Sequence, residues 1–336
     1  MITAVDNGKE IARLQKQMQL AFKNQKPESI RAIIGSPGGA FGTKFLYFKA
    51  YDIWVVFEEG DNRYWNAFGI GRPIPEKNNS ITCEINFPYE GIDRRIAGVW
   101  GKDSDNVVLL HRGKIGGGRK GIGKSLFLDK YRGEYVNILD GDTENHVALI
   151  GSLNSKRFLQ QVANFVHEVH RIKNLAEDAA EDVDSIDDEQ SMPDLGFDFT
   201  AEGHGKRRYT RREEIEAISN HGIIINALAD QLTSRGFAVG NDRKRDLFTV
   251  NNDKIDRLFE AKTDLSNGSI YSAVGQLMMY SAEKGLDGNH KILVLPEKLK
   301  ASAEKTVAKL GLDILYYIFD DETVHFIDLD RILKKR

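Results

Sequence analysis

"RDLFTVNNDKIDRLFEAKTD", residues 245–264, carries two apolar runs on either side of a polar break. Aromatic and β-branched residues fill both runs, and the Asn-Asn-Asp break between them is turn chemistry, so the stretch predicts a β-hairpin turning near Asn252 and Asp253. Glu260 and Lys262 stand two apart on the second strand, and side chains at that spacing share one face of a sheet. Antiparallel pairing about the turn sets residue 246 opposite residue 259 or 260. Two carboxylates, Asp246 and Glu260, and the Lys262 ammonium therefore meet at one end of the hairpin.

Elements with their own signals surround it. "RREEIEAISNHGIIINALADQLTSRG" is helical and ends at Gly236, with Thr210 as a candidate cap, and a strand "FAVG" follows. After the hairpin come helix "SIYSAVGQLMMYSAEKG", strand "KILVLPE" and helix "KLKASAEKTVAKLG". Strands "ILYYIFD" and "TVHFIDL" and a short terminal helix close the chain. The order αβββαβαββα predicts an α/β fold, a mixed sheet with helices on its faces.

The converging groups suit metal-assisted phosphodiester hydrolysis. Asp246 and Glu260 are hard oxygen ligands for Mg²⁺, with Mn²⁺ as a substitute. The ion polarises the phosphate and lowers the pKa of a bound water. Lys262 orients or deprotonates that water, or steadies the charge developing on the phosphorane. E-x-K alone carries little information. Its place at the end of an apolar strand, behind an acid and ahead of "AVGQLMMY", carries more.

With Asp246 as the motif acid and Glu260 and Lys262 as the (D/E)-x-K pair, residues 215–300 resemble the PD-(D/E)XK nuclease superfamily, whose fold is called restriction-endonuclease-like. Gln276 and Tyr280 resemble the Q-x-x-x-Y element of the RecB-type subset. The resemblance implies that they help position the DNA or the site; a core tyrosine and a surface amide are the plainer reading. Arg245 stands where many relatives carry proline. Relatives often add a carboxylate from the first helix, where this chain offers Asn226 or Asp230. That leaves open whether one metal ion or two would act.

The chain has 336 residues, enough for two domains, and its charge is unevenly spread. Residues 1–176 hold 25 Lys and Arg against 19 Asp and Glu, and residues 206–336 hold 22 against 20. Residues 177–205 hold 11 acids and no Lys or Arg. This middle segment cannot bury enough apolar surface to fold alone, so it predicts a flexible acidic linker, or a nucleic-acid mimic over a basic groove. The domains are thus 1–176, a nucleic-acid recognition domain, and 206–336, the nuclease-like domain.

The first domain reads as α+β with a mostly antiparallel sheet. It opens with one or two helices, over "GKEIARLQKQMQLAFKN" and then "PESIRAIIG". Strand-like runs follow, among them "FLYFKAYDIWVVF", "NVVLLHRG" and "HVALIGSL". A long helix starting near Ser155 closes it, with Phe158, Val162, Phe165, Val169 and Ile172 on one face. His167 and His170 on that helix lack a third metal ligand and read as surface histidines. Tyr47, Phe48, Tyr51, Trp54, Phe57, Tyr64, Trp65 and Phe68 read mostly as core, with a few left to line a pocket for an extruded base.

"GRKGIGKS", residues 118–125, matches the phosphate-loop pattern G-x-x-x-x-G-K-S. Such a loop leaves a buried parallel strand and enters a helix. Here "HRGKIGG" precedes it, and Gly133 leaves little room for a helix after it. The charges suggest another use. Arg112, Lys114, Arg119, Lys120 and Lys124 fall within 13 residues without an acid, which suits contact with a nucleic-acid backbone.

One cysteine, Cys83, excludes an internal disulfide, and no apolar run approaches the roughly 18 residues a membrane helix needs. The expectation is a cytoplasmic, Mg²⁺-dependent DNA endonuclease of restriction or modification-dependent restriction type, or another prokaryotic defence nuclease. Its partner is double-stranded DNA, with or without modified bases, and a homodimer would suit double-strand cleavage. The alternatives are a non-catalytic DNA-binding module and a phosphate-loop nucleotide hydrolase.

Overall fold

A computed structural model describes residues 1–36, 39–104, 106–116, 122–181, 211–241, 245–252, 254–282, 289–320 and 323–334, with backbone alone for 36, 177–181 and 211–219. The chain is mixed α/β. The acidic segment from residue 182 to 205 lies outside the described residues.

The first half opens with β1 (Ile2–Ala4) and α1 (Gly8–Asn24). Asn7 caps α1, its side chain accepting from Glu10 N at 3.1 Å, and the helix buries Ile11, Leu14, Met18 and Phe22. β2 (Glu28–Ser36) follows where the sequence suggested a second helix. The period explains the difference: Ile30, Ala32 and Ile34 alternate, and all three are buried against Phe45, Tyr47 and Trp54. β3 (Gly39–Phe48), β4 (Ile53–Glu59) and β5 (Arg63–Ile70) continue the meander. "FLYFKAYDIWVVF" is thus two strands, reversed at a turn where Asp52 takes φ 48°. Short β6 (Asn78–Ser80), β7 (Cys83–Glu84) and β8 (Phe87–Pro88) complete a seven-stranded sheet, antiparallel except where β6 pairs β2.

A second, closed sheet is built from β9 (Gly98–Asp103), β10 (Asn106–His111), β11 (Tyr135–Asp140) and β12 (Thr143–Ser152) together with β1, in the order β1-β11-β12-β10-β9. Between β10 and β11 lies α2 (Lys124–Lys130), seated by buried Phe127. α3 (Phe158–Glu181) lays Phe158, Val162, Phe165, Val169 and Ile172 into a core shared with α1 and both sheets.

The second half is α4 (Arg211–Thr233), β13 (Ala238–Gly240), β14 (Leu247–Asn251), β15 (Lys254–Ala261), α5 (Asn267–Ser281), β16 (His290–Leu295), α6 (Ala301–Lys309), β17 (Leu312–Phe319), β18 (Val324–Ile327) and α7 (Leu329–Leu333). The order matches the sequence expectation. The strands form one sheet in chain order, parallel at β15–β16 and β16–β17 and antiparallel elsewhere. Ile224, Leu228 and Leu232 of α4 pack with Leu329 and Ile332 of α7 on one face, and Ala273 and Leu277 of α5 with Val307 of α6 on the other.

The two halves touch directly. α4 lies against α3 and β12 across a polar seam. Asn226 Nδ2 donates to Asn164 Oδ1 at 2.8 Å, and Arg132 Nε to Asn241 Oδ1 at 2.7 Å. Arg157 stacks its guanidinium 4.4 Å over the Phe319 ring.

Fully buried His111 ends β10. Gly113 N donates to its Nδ1 at 3.0 Å, and its Nε2 lies 3.3 Å from the Glu84 carbonyl oxygen. That pattern fixes the neutral tautomer with hydrogen on Nε2; a second proton, on Nδ1, would face the Gly113 N–H. Burial pushes its pKa down to about 4, with the Arg112 charge adding to the effect. The unfolded chain takes up this proton near the ordinary histidine value and the native chain only far lower, so acid favours unfolding. From about pH 7.5 to about pH 5 this group should remove about 2 kcal/mol of stability. Urea unfolding across that range should show the loss, and His111→Gln, less stable at neutral pH, should lose correspondingly less. An equal loss in the variant would assign acid sensitivity to other groups.

Candidate active site

The β14–β15 hairpin turns at Asn252, which takes the left-handed φ of 50°, and pairs Leu247 with Phe259. Asp246, one residue before Leu247, consequently meets the far end of β15. Its Oδ2 accepts from Ala261 N at 2.9 Å and lies 3.1 Å from His221 Nε2 of α4. Glu260, 1% exposed, sits beside it.

Lys262 follows β15. Its backbone N–H donates to Val294 O at 3.0 Å and its carbonyl accepts from Tyr317 OH at 3.1 Å, which anchors the residue to β16 and β17. From that base Nζ reaches Glu260 Oε1 at 2.6 Å and Gln276 Oε1 at 3.1 Å. Ser272 Oγ donates to the same Gln276 oxygen at 3.1 Å, so one turn of α5 orients the amide.

The electrostatics of the cluster are unequal. Burial raises the Glu260 carboxyl, the neighbouring Asp246 charge raises it further, and together they outweigh Lys262, pushing its pKa to about 7. Asp246 is half-buried, which on its own would raise it, yet the His221 charge and hydrogen bond, with the Ala261 N–H, hold it below the usual carboxylate range. Burial alone would lower His221, but Asp246 overrides it and lifts the imidazole to about 9. The site thus contains an ion pair, His221–Asp246, next to a carboxyl that ionises reluctantly.

Asp246, Glu260, Lys262 and Gln276 come together. Tyr280, one turn on, instead packs with the apolar layer beneath α5, and the Arg245 guanidinium lies 5.9 Å from its ring centre. The two α4 candidates for an added ligand are turned elsewhere: Asn226 bonds Asn164, and the Asp230 carboxyl interacts with His167, Arg132 and Glu168. His221 takes the place the sequence reading left to Asn226 or Asp230. It carried a faint signal, a polar residue leading the apolar stripe of Ile224, Leu228 and Leu232. His167 is spent on the Tyr51 carbonyl, 2.8 Å away, and His170 on Asn174. Among the described residues no three His, Cys, Asp or Glu groups form a ready metal cage.

The glycine-rich loop divides differently from the sequence expectation. Arg112 lies in the interior: it is 7% exposed, and its Nη2 grips both Asp140 oxygens at 2.9 and 3.0 Å while Nη1 donates to Ile96 O and Gly98 O. It ties the closed sheet together. Lys114 and Lys124 are exposed, Lys114 Nζ reaching the Arg94 carbonyl at 2.8 Å. Arg119 and Lys120 lie outside the described residues. A helix does follow the loop, since α2 begins at Lys124 despite Gly133. Even so, β10 before it pairs only antiparallel, with β9 and β12, which is not the parallel-strand setting of a phosphate loop. Of the aromatics set aside for a base pocket, Tyr47, Phe48, Trp54 and Phe68 are core.

No family model, curated protein or solved structure matches the chain.

Removing Arg112 would leave the fully buried Asp140 carboxylate only the longer contacts from Arg94 Nε and Asn145 Nδ2, both at 3.5 Å. Arg112→Ala should cost about 3 kcal/mol or more of stability, and Lys124→Ala at most about 0.5 kcal/mol. Denaturant midpoints of the two variants decide this. An unchanged midpoint for Arg112→Ala, with weakened DNA binding, would return that arginine to the DNA surface.

Proposed function

We propose that the chain is a metal-dependent DNA endonuclease of the PD-(D/E)XK type, using Mg²⁺ or Mn²⁺ and cutting in a restriction or related defence role. The observation that carries this reading is Lys262 Nζ, held between Glu260 and Gln276 beside Asp246 at the end of one hairpin. The order αβββαβαββα and the mixed sheet support a restriction-endonuclease-like core.

The donor set fits a hard divalent cation. Asp246 and Glu260 place two carboxylates in one site, where burial first and the Asp246 charge second raise the Glu260 pKa. A cation relieves the repulsion between the pair, and two carboxylates suit an ion that keeps several waters. Once bound, it would polarise the phosphate and acidify a water. His221 orients Asp246 from α4, and the Ala261 N–H fixes the same oxygen from β15. Lys262 places a positive charge where the phosphorane gains negative charge, and Gln276 keeps that ammonium from collapsing wholly onto Glu260. Exposed Lys114 and Lys124 supply sequence-independent backbone contact from the first half. A homodimer, each copy cutting one strand, is the arrangement this reading favours for duplex DNA.

Glu260→Ala and Lys262→Ala should each abolish Mg²⁺-dependent cleavage of duplex DNA while leaving DNA binding largely intact. EDTA should stop the wild-type reaction. Modified and unmodified duplexes assayed in parallel identify the preferred target. Wild-type cleavage rates in both variants would sink the assignment.

Lys124→Ala should weaken DNA binding about equally across sequences and reduce the salt dependence by about one unit of slope. Nucleotide hydrolysis lost on that substitution would instead make "GRKGIGKS" a true phosphate loop.

A further inference from the structure

A cavity of about 300 Å³ opens in the first half, away from the hairpin site. It lies between β5, the β6–β7 edge, the approach to β9, the loop after β10, and α3. Its volume is at the lower end for small-molecule sites, enough for a mononucleotide and far too small for a duplex.

The lining is one-sided in charge. Four cationic side chains, Arg63, Arg95, Lys114 and Lys173, face one carboxylate, Glu84. Arg95 and Lys114 are exposed at the cavity rim, Arg95 pairing with Asp93 and Lys114 Nζ donating to the Arg94 carbonyl. Lys173 is 8% exposed, a cation carried deep into the wall. A concave site with cations on low-dielectric walls concentrates anions. Ile81, Ile96 and Ile115 are interleaved with the cations in the lining, Ile96 and Ile115 themselves mostly buried. Glu84 is held by Asn86 Nδ2, which fixes an acceptor in the same lining.

These three features call for a ligand with an anionic group, a flat apolar body and a hydrogen-bond donor. A bare phosphate would leave the isoleucines unused, and a nucleoside would leave the cations unmatched. No aromatic side chain is among the described lining residues, so the cavity lacks the stacking platform expected where a base alone is gripped. We infer that this cavity binds a nucleoside 5′-monophosphate unit, phosphate toward Arg63, Lys114 and Lys173, base against Ile81, Ile96 and Ile115. The unit is either a free nucleotide or the phosphorylated 5′ end of a strand. It is bound and not hydrolysed, and "GRKGIGKS" is not its cradle.

Calorimetry on the full-length chain in EDTA tests this with three sets of probes: the deoxynucleoside 5′-monophosphates, the matching nucleosides, and inorganic phosphate. At least one monophosphate should bind, with its nucleoside and inorganic phosphate weaker by about tenfold or more. Arg63→Ala and Lys114→Ala should each weaken it by about tenfold, with thermal unfolding little changed. Glu260→Ala should bind as wild type, so this result and the nuclease result stand or fall separately. A single-stranded oligonucleotide with a 5′-phosphate, compared with its 5′-hydroxyl twin, identifies the source. Preference for the phosphorylated strand over free monophosphate assigns a strand end, and the reverse assigns a free nucleotide. Three outcomes would overturn the inference: no binding by any phosphorylated probe, binding indifferent to both substitutions, or inorganic phosphate binding as tightly as the nucleotide.

Discussion

One oxygen, Asp246 Oδ2, ties together the parts on which the candidate site depends. It takes the Ala261 N–H from β15 and faces His221 Nε2 from α4. The first contact fixes where the two strands of the hairpin end relative to each other. The second holds the middle of α4 against the end of the hairpin. α4 in turn lies on α3 and β12, so the same oxygen is one step from the seam between the halves. A half-buried ion pair of this kind is costly to desolvate, and replacing it by apolar groups of equal volume would not obviously lose stability. Its place next to a reluctantly ionising Glu260 is consistent with the proposed cation site.

The seam changes how the halves relate. The charge pattern suggested two independent bodies on a tether. The described residues instead meet through side-chain amides, through Arg132 to Asn241, and through Arg157 over Phe319. Glu134 of the first half also contributes to raising His221, so the field at the hairpin site includes charge from the other half. Interfaces made of amides and cation–π contacts are weaker than apolar ones and open more readily. Such a seam can hold the proposed recognition half against the proposed nuclease half without welding them.

The hairpin, the element order of the second half and the long helix over Phe158–Ile172 were legible because each rests on local chemistry: a polar turn, a period and a cap. What was illegible depended on contacts distant in sequence. "ESIRAIIG" is too short to distinguish helix from strand by composition, and only the buried alternation of Ile30, Ala32 and Ile34 decides it. Arg112 looked like its neighbours Lys114 and Lys124 because charge in sequence carries no direction. Its partner, Asp140, is 28 residues away. His221 is 25 residues from Asp246 and shares no motif with it. The sequence reading sought a carboxylate on that helix, where the fold presents an imidazole.

The basic loop shows the same ambiguity resolved in space. A run of glycine and cations satisfies several phosphate-binding patterns at once because glycine permits most backbone paths. The fold separates its members by what lies opposite each. Arg112 faces a buried carboxylate and becomes structural. Lys124 opens a short helix at the surface and is left to solvent or a polyanion. Lys114 borders a cavity that also holds Arg63 and Lys173, cations from strand and helix that no motif would group with it. On the inference drawn above, phosphate affinity in this half is a property of enclosure. The cations that share a wall with apolar surface can select a phosphorylated ligand by shape, and those on open surface can only count its charges.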